Sequence, residues 1–106
     1  MDANRDADRW GALADGTRLA IVARLSDGPQ AVGQLAAGLP VSRSAVSQHL
    51  KILKDAGLVE DVAAGTRRIY RLNPAALAAL RDQLDTYWQR ALAGYVDAAE
   101  ATTKEE

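Results

Sequence analysis

The sequence predicts a mainly α chain with four helices, a two-stranded β-hairpin and a long C-terminal helix. Apolar residues recur at helical spacing in segments that short breaks containing Gly or Pro separate. Between residues 58 and 72 the pattern changes to two short runs that are richer in β-branched residues. A short helix, a tight turn and a second helix precede this hairpin. That order predicts an α+β winged helix-turn-helix, and the 106 residues are expected to form one domain, 1–106.

The first two helices are expected over about 7–14 and 17–26. Asp15 lies between them, and an Asp side chain at this position can accept hydrogen bonds from the free N–H groups of the next helix. The sequence Asp-Gly-Pro at 27–29 then breaks the chain. These signals predict two short helices at the N-terminal end.

The helix-turn-helix is expected over about 30–56. Its first helix spans about 31–37, and Pro40 favours a turn because the residue before a proline avoids the helical conformation. Ser42 is a favourable N-cap for the second helix, and Gly57 can end that helix in a left-handed conformation.

The hairpin, or wing, is expected over about 58–72, with the loop at 63–66. Successive side chains of a strand point to opposite faces. We expect Tyr70 and Leu72 to point inward, because the charged Arg71 between them is hard to bury.

The last helix begins at Asn73-Pro74 and is expected to end near residue 99, with residues 101–106 frayed. A helix of this length has more apolar surface than a small core can cover, and such patches usually mark an association surface. We expect a homodimer through terminal segments at about 5–14 and 74–99, with packing inside one chain as the alternative. The expected interface residues are Trp10, Leu13, Leu80, Leu84, Tyr87, Trp88, Leu92 and Tyr95.

The charges are unevenly distributed, although the net charge is only −1. Residues 41–71 contain six cations and three acids, a local net charge of +3. Phosphate binding depends on this local field rather than on the total. The distribution therefore favours double-stranded DNA as a partner, and ordinary solvated surface is the alternative.

The chain contains no cysteine, which excludes disulfides, thiolate metal sites and cysteine nucleophiles. Its longest apolar runs fall far short of the ~20 residues that a membrane span needs. No basic and apolar signal peptide opens the sequence. We expect a cytoplasmic protein without a membrane partner.

The second helix of the helix-turn-helix has two distinct sides. Val46, Leu50 and Leu53 form a narrow apolar stripe that is expected to face the core. The other side carries small hydroxyl, amide and cationic groups, which can approach base edges and phosphates, although an ordinary amphipathic surface helix is the alternative. We expect base contacts from Ser44, Ser47 and Gln48, phosphate contacts from Arg43, Lys51, Lys54, Arg67 and Arg68, and further DNA contacts from Ser42 and His49.

His49 is the only histidine. Without cysteine or a second histidine it cannot form a convincing transition-metal site, so we expect a DNA contact or a structural hydrogen bond within the helix pair. No nucleophile elbow, phosphate loop or other catalytic motif is present. The sequence therefore predicts neither an enzyme nor a bound cofactor.

Three segments, ALADGTRLAIVARLSDGPQAVGQLA, VSRSAVSQHLKILKDAGLVE and GTRRIYRLNP, together resemble the ArsR/SmtB family of bacterial winged-helix repressors. The resemblance covers about residues 10–95. It implies a homodimer that is held by its terminal helices, binds imperfect palindromes in promoter DNA and usually represses transcription, often of its own gene.

The chain departs from the metal-sensing members of that family, which carry a cysteine pair on the third helix or His and carboxylate ligands on the last. Its third helix has no cysteine and its last helix has no histidine, so no metal site is expected. The segment DTYWQRAL is similar to the metal-independent branch that includes autorepressors. Two alternatives remain: a winged-helix module that binds protein, and a regulator gated by an unknown small-molecule or protein effector.

Overall fold

The computed structural model describes residues 2–105, with side chains for 5–102. It confirms the mainly α winged-helix fold: helices surround a small core, and an antiparallel sheet extends from one side. In chain order the elements are α1 (Asp2–Leu13), α2 (Gly16–Leu25), β1 (Gln30–Ala31), α3 (Val32–Ala37), α4 (Arg43–Asp55), β2 (Val59–Ala64), β3 (Arg67–Leu72) and α5 (Pro74–Glu105).

The sheet has three strands rather than the expected two, in the order β1-β3-β2. The hairpin of β2 and β3 was predicted, but β1 was not, and it pairs antiparallel with β3 through Gln30 and Ala31. A two-residue strand is too short to show an alternating pattern, so only its pairing partner identifies it. Because Ala31 belongs to β1, α3 begins one residue later than predicted, at Val32.

The core lies between the helices and the inner face of the sheet. The predicted stripe of α4 is confirmed, since Val46, Leu50 and Leu53 have no exposed surface. Tyr70 and Leu72 pack against this core, as expected from strand alternation. The opposite side of α4 is therefore held facing outward.

Both ends of α4 are fixed by the residues that the sequence indicates. The side chain of Ser42 accepts a hydrogen bond from the backbone N–H of Ala45 at 3.1 Å. At the other end Gly57 has a φ of +81°, and the N–H of Leu58 donates to the carbonyl of Leu53 at 2.9 Å. Together with the bond from Gly57 N–H to the Lys54 carbonyl, this is a Schellman motif.

Helix α5 starts at Pro74 as predicted but continues to Glu105, beyond the expected end near 99; residue 106 lies outside the described residues. Only its first two turns join the core, through Ala76 and Leu80. Leu80, predicted for the dimer interface, is 5% exposed and packs inside its own chain, so it offers little surface to a partner. None of the helices in the described range is long and apolar enough to cross a membrane.

Candidate nucleic-acid interface

The outward side of α4 presents the side chains that were expected to contact bases. Ser44, Ser47 and Gln48 are exposed. Within residues 5–102, none of their side chains forms a hydrogen bond to another part of the chain. Their donors and acceptors are thus available to an external partner.

A cleft of about 580 Å³ lies beside the first turn of α4. The start of α3, the N-terminal end of α4 and the tip of the wing form its walls. Arg43 enters the cleft from the α4 side, and Arg67 and Arg68 enter it from the wing. The fold therefore brings together three predicted phosphate-binding residues that are as much as 25 positions apart in the sequence.

The cations on this face differ in how they are paired. Arg43 and Arg67 have no ion pair within the part of the chain whose side chains are described. Lys51 pairs with Asp55 one turn later, at 3.0 Å, and both side chains are well exposed. Lys54 and Arg68 instead share the carboxylate of Asp61.

Asp61 is the acceptor for both of those cations. Its carboxylate lies 2.8 Å from the Lys54 ammonium and 2.9 Å from the Arg68 guanidinium, and its side chain is only 6% exposed. The hydrogen bond from Lys54 is the main cause of its lowered pKa, and the charge of Arg68 contributes in the same direction. Sequence reasoning missed this residue, although the alternation that places Tyr70 inward also places Asp61, its cross-strand partner, on the inner face.

The imidazole of His49 contacts residues at the start of α2. Its Nδ1 is 3.3 Å from a guanidinium nitrogen of Arg18 and 4.0 Å from the carboxylate of Asp15, at the start of α2. The histidine thus joins α4 to α2, whereas the structural alternative placed its hydrogen bond within the helix-turn-helix pair; its contact with DNA stays a prediction. Asp15 is the N-cap of α2 as predicted, since it accepts a hydrogen bond from the N–H of Arg18 at 3.0 Å, and this bond is the main cause of its lowered pKa.

Acid should weaken the fold through Asp15 and Asp61. Both carboxyls have a pKa below the ordinary value of 3.8, so the unfolded chain binds protons more readily than the folded one. Their stabilisation is complete above the ordinary pKa and is lost as the pH falls through the folded pKa. We expect the free energy of unfolding, measured with urea, to fall as the pH is lowered below about 4. The fall should be smaller in Asp61→Asn, and equal falls in the two proteins would contradict this assignment.

Beyond the core, α5 carries an exposed apolar face. Leu84, Tyr87, Trp88, Leu92 and Tyr95, all predicted for the dimer interface, are at least 43% exposed in the single chain. Val96, which was not predicted, is also exposed on this helix. This face is a ready contact surface for another protein chain.

The two predicted interface residues of α1 are placed differently. Trp10 and Leu13 are partly buried and pack against the core of their own chain. The indole N–H of Trp10 donates to the side chain of Gln83, which joins α1 to α5. Both residues are therefore less exposed than the predicted interface residues on α5 from Leu84 onward.

In the described part of the chain, no three His, Cys, Asp or Glu side chains come together in a way that could hold a metal ion.

Comparison with known proteins gives consistent results. The sequence pattern described as "Bacterial regulatory protein, arsR family" matches residues 15–61. The chain is 66% identical to the HTH-type transcriptional regulator Rv2034 of Mycobacterium tuberculosis over 96 aligned residues. The alignment covers 90% of this chain and 90% of that protein.

Solved structures show the same likeness. An ArsR-like transcriptional regulator from Rhodococcus sp. RHA1 superposes with a TM-score of 0.75 at 35% identity, over 88% of this chain and 91% of that one. The homodimeric winged helix-turn-helix DNA-binding domain of Mb0332 from Mycobacterium bovis, a possible ArsR-family regulator, has a TM-score of 0.69 at 32% identity, over 85% of this chain and 83% of that one.

Proposed function

Because this chain belongs to the ArsR family of bacterial regulatory proteins, we propose that it is a homodimeric repressor of two-fold symmetric promoter sites that acts without a metal sensor. It is a transcriptional regulator with a winged-helix DNA-binding domain, and its relatives are regulators rather than enzymes. Repression of its own gene is part of the proposal. So is a cytoplasmic location, because bacterial DNA lies there.

The observation that carries this proposal is the exposed face of α4 beside the cleft that contains Arg43 and Arg67. In our assignment Ser44, Ser47 and Gln48 read base edges in the major groove. Arg43 and Arg67 are unpaired in the described part of the chain and hold the phosphate backbone on either side. We thus propose that each protomer is a single domain whose helix-turn-helix and wing together bind one DNA half-site.

The homodimer is proposed from the exposed apolar face of α5 and from the homodimeric state of the Mb0332 domain. A two-fold dimer presents two copies of α4 to successive turns of one side of the duplex, about 34 Å apart. Independence from metal is proposed from the absence of cysteine and from the donor set of α5, whose Asp and Glu oxygens suit hard cations rather than the metals bound by thiolate and imidazole.

The salt dependence of binding tests the phosphate contacts. Lys54 and Arg68 are held by Asp61, which leaves Arg43, Lys51 and Arg67 in each protomer as the proposed contacts. About six contacts per dimer predict a slope of log K against log salt near −5. Operator fragments selected from the parent genome would supply the duplex. A binding constant that hardly changes with salt would instead support a module that binds protein.

Two variants should distinguish the residues that contact bases from those that contact phosphates. Gln48→Ala removes an amide that can pair with a base edge, so it should reduce discrimination against altered operators by about 1–3 kcal/mol per half-site. Arg67→Ala should weaken binding to all sequences equally and reduce the salt slope by about 2 for a dimer. Titrations with operator and random duplexes measure both effects. The assignment of roles fails if the two variants change specificity and salt slope alike.

A further inference from the structure

Asp61 is an acidic residue that forms ion pairs with two of the cations near the proposed DNA contacts. It lies on the inner side of β2, between Lys54 on α4 and Arg68 on β3. The register explains this position: Asp61 is opposite Tyr70, and Arg68 is two residues before Tyr70 on the same face of β3. One carboxylate thus joins α4 to the wing and is bonded to two of the cations predicted to bind phosphate.

The other ion pairs of this region are different in kind. Lys51–Asp55 and Glu60–Arg71 join side chains that are exposed on both sides. Exposed pairs contribute little free energy and open readily, so neither Lys51 nor Arg71 is held firmly by its carboxylate, and Lys51 can exchange Asp55 for a phosphate at low cost. Asp61 differs because one carboxylate pairs with two cations, and its side chain is only 6% exposed, although Lys54 and Arg68 are themselves 52% and 61% exposed. A cation that moves to a phosphate therefore gives up a carboxylate that is better shielded from water than Asp55 or Glu60.

We propose that Asp61 withholds Lys54 and Arg68 from DNA phosphates and so limits the affinity of this protein for DNA of any sequence. This inference rests on the proposed function, in which α4 and the wing contact DNA. Non-specific binding comes almost entirely from phosphate contacts, so it is the binding mode that Asp61 weakens most directly. The same carboxylate fixes the wing against α4, which makes Asp61 a positioning residue rather than a DNA contact.

The test compares Asp61→Asn with Glu60→Gln on a random duplex, at a series of salt concentrations. Each variant removes one negative charge per protomer, so the change in overall field is the same. Asp61→Asn should bind more tightly than wild type at low salt, and its slope should be steeper by about 2–4, for one or two released cations per protomer. Glu60→Gln should keep a slope close to that of wild type, because Arg71 can already leave its exposed partner.

Equal slopes for Asp61→Asn and Glu60→Gln, or weaker binding by Asp61→Asn, would overturn the inference. Failure of the proposed function would look different, because wild type itself would then bind DNA without a steep salt slope.

Arg68→Ala provides a second test, which does not require that the Asp61→Asn variant folds. It should leave the wild-type slope nearly unchanged, whereas removal of the adjacent Arg67 should reduce it by about 2. Equal reductions by the two arginine variants would show that Asp61 withholds nothing.

Discussion

Replacing Leu84 by Glu should convert the protein from a dimer into single chains and lower its affinity for operator DNA by about 100-fold or more. Leu84 is 57% exposed in the single chain and lies on the apolar face of α5 with Tyr87 and Trp88. In the proposed dimer a carboxylate at this position would be buried without a partner, which is strongly unfavourable. Each released chain would then bind one half-site without the gain from linking two. Sedimentation and operator titration measure the two effects.

The matched control is Leu19→Glu. Leu19 is 52% exposed, close to the 57% of Leu84, but it lies on α2 rather than on α5. The control therefore introduces the same charge at a similar exposure on a different helix. This variant should remain a dimer, and circular dichroism should show native helix content in both proteins. If Leu84→Glu stayed dimeric, or if both variants dissociated equally, the apolar face of α5 would not be the interface.

Truncation of Leu50 to Ala should lower the free energy of unfolding by about 2–5 kcal/mol. Leu50 has no exposed surface and belongs to the α4 stripe that packs into the core. The change removes buried apolar surface and leaves a cavity that a small helical core can close only in part. Domains of this size have a free energy of unfolding of only about 5–15 kcal/mol, so this loss is a large fraction of the total.

Ile52→Ala, two residues further along the same helix, serves as the control. Ile52 is 44% exposed, so its truncation should cost less than about 1 kcal/mol. Urea unfolding of both variants measures the difference. DNA binding per folded molecule should be retained in both, since neither side chain lies among the proposed contacts. A similar loss of stability in the two variants would contradict the assigned core face of α4.

Much of this fold could be predicted from sequence because its signals are local. Asp15 and Ser42 cap helices that begin at the next residue, through hydrogen bonds to the N–H three residues on, and Gly57 ends α4 with the left-handed backbone that a glycine favours. The alternation in β3 correctly placed Tyr70 and Leu72 inward. In each case the determining interaction joins residues within a few positions of each other, so the pattern along the chain contains the information.

The polar face of α4 was likewise visible in the sequence, because a helical period separates it from the apolar stripe. Its role in reading DNA nevertheless remains a proposal. The family resemblance was confirmed by comparison. The net charge of −1 conceals a local net charge of +3 over residues 41–71, which include α4 and most of the wing.

Only the tertiary structure decided which of the expected groups are free to act. β1 is defined by pairing with β3 some 40 positions away, and Leu80 enters the core because α5 crosses it there. Asp61 pairs with Lys54 and Arg68, and the imidazole of His49 contacts Arg18 on α2. A periodic pattern gives the side of an element on which a residue lies, but a charge is free or paired according to residues that are distant in sequence. The sequence therefore determined the elements and their faces, and the packing of those elements determined which cations remain available for DNA.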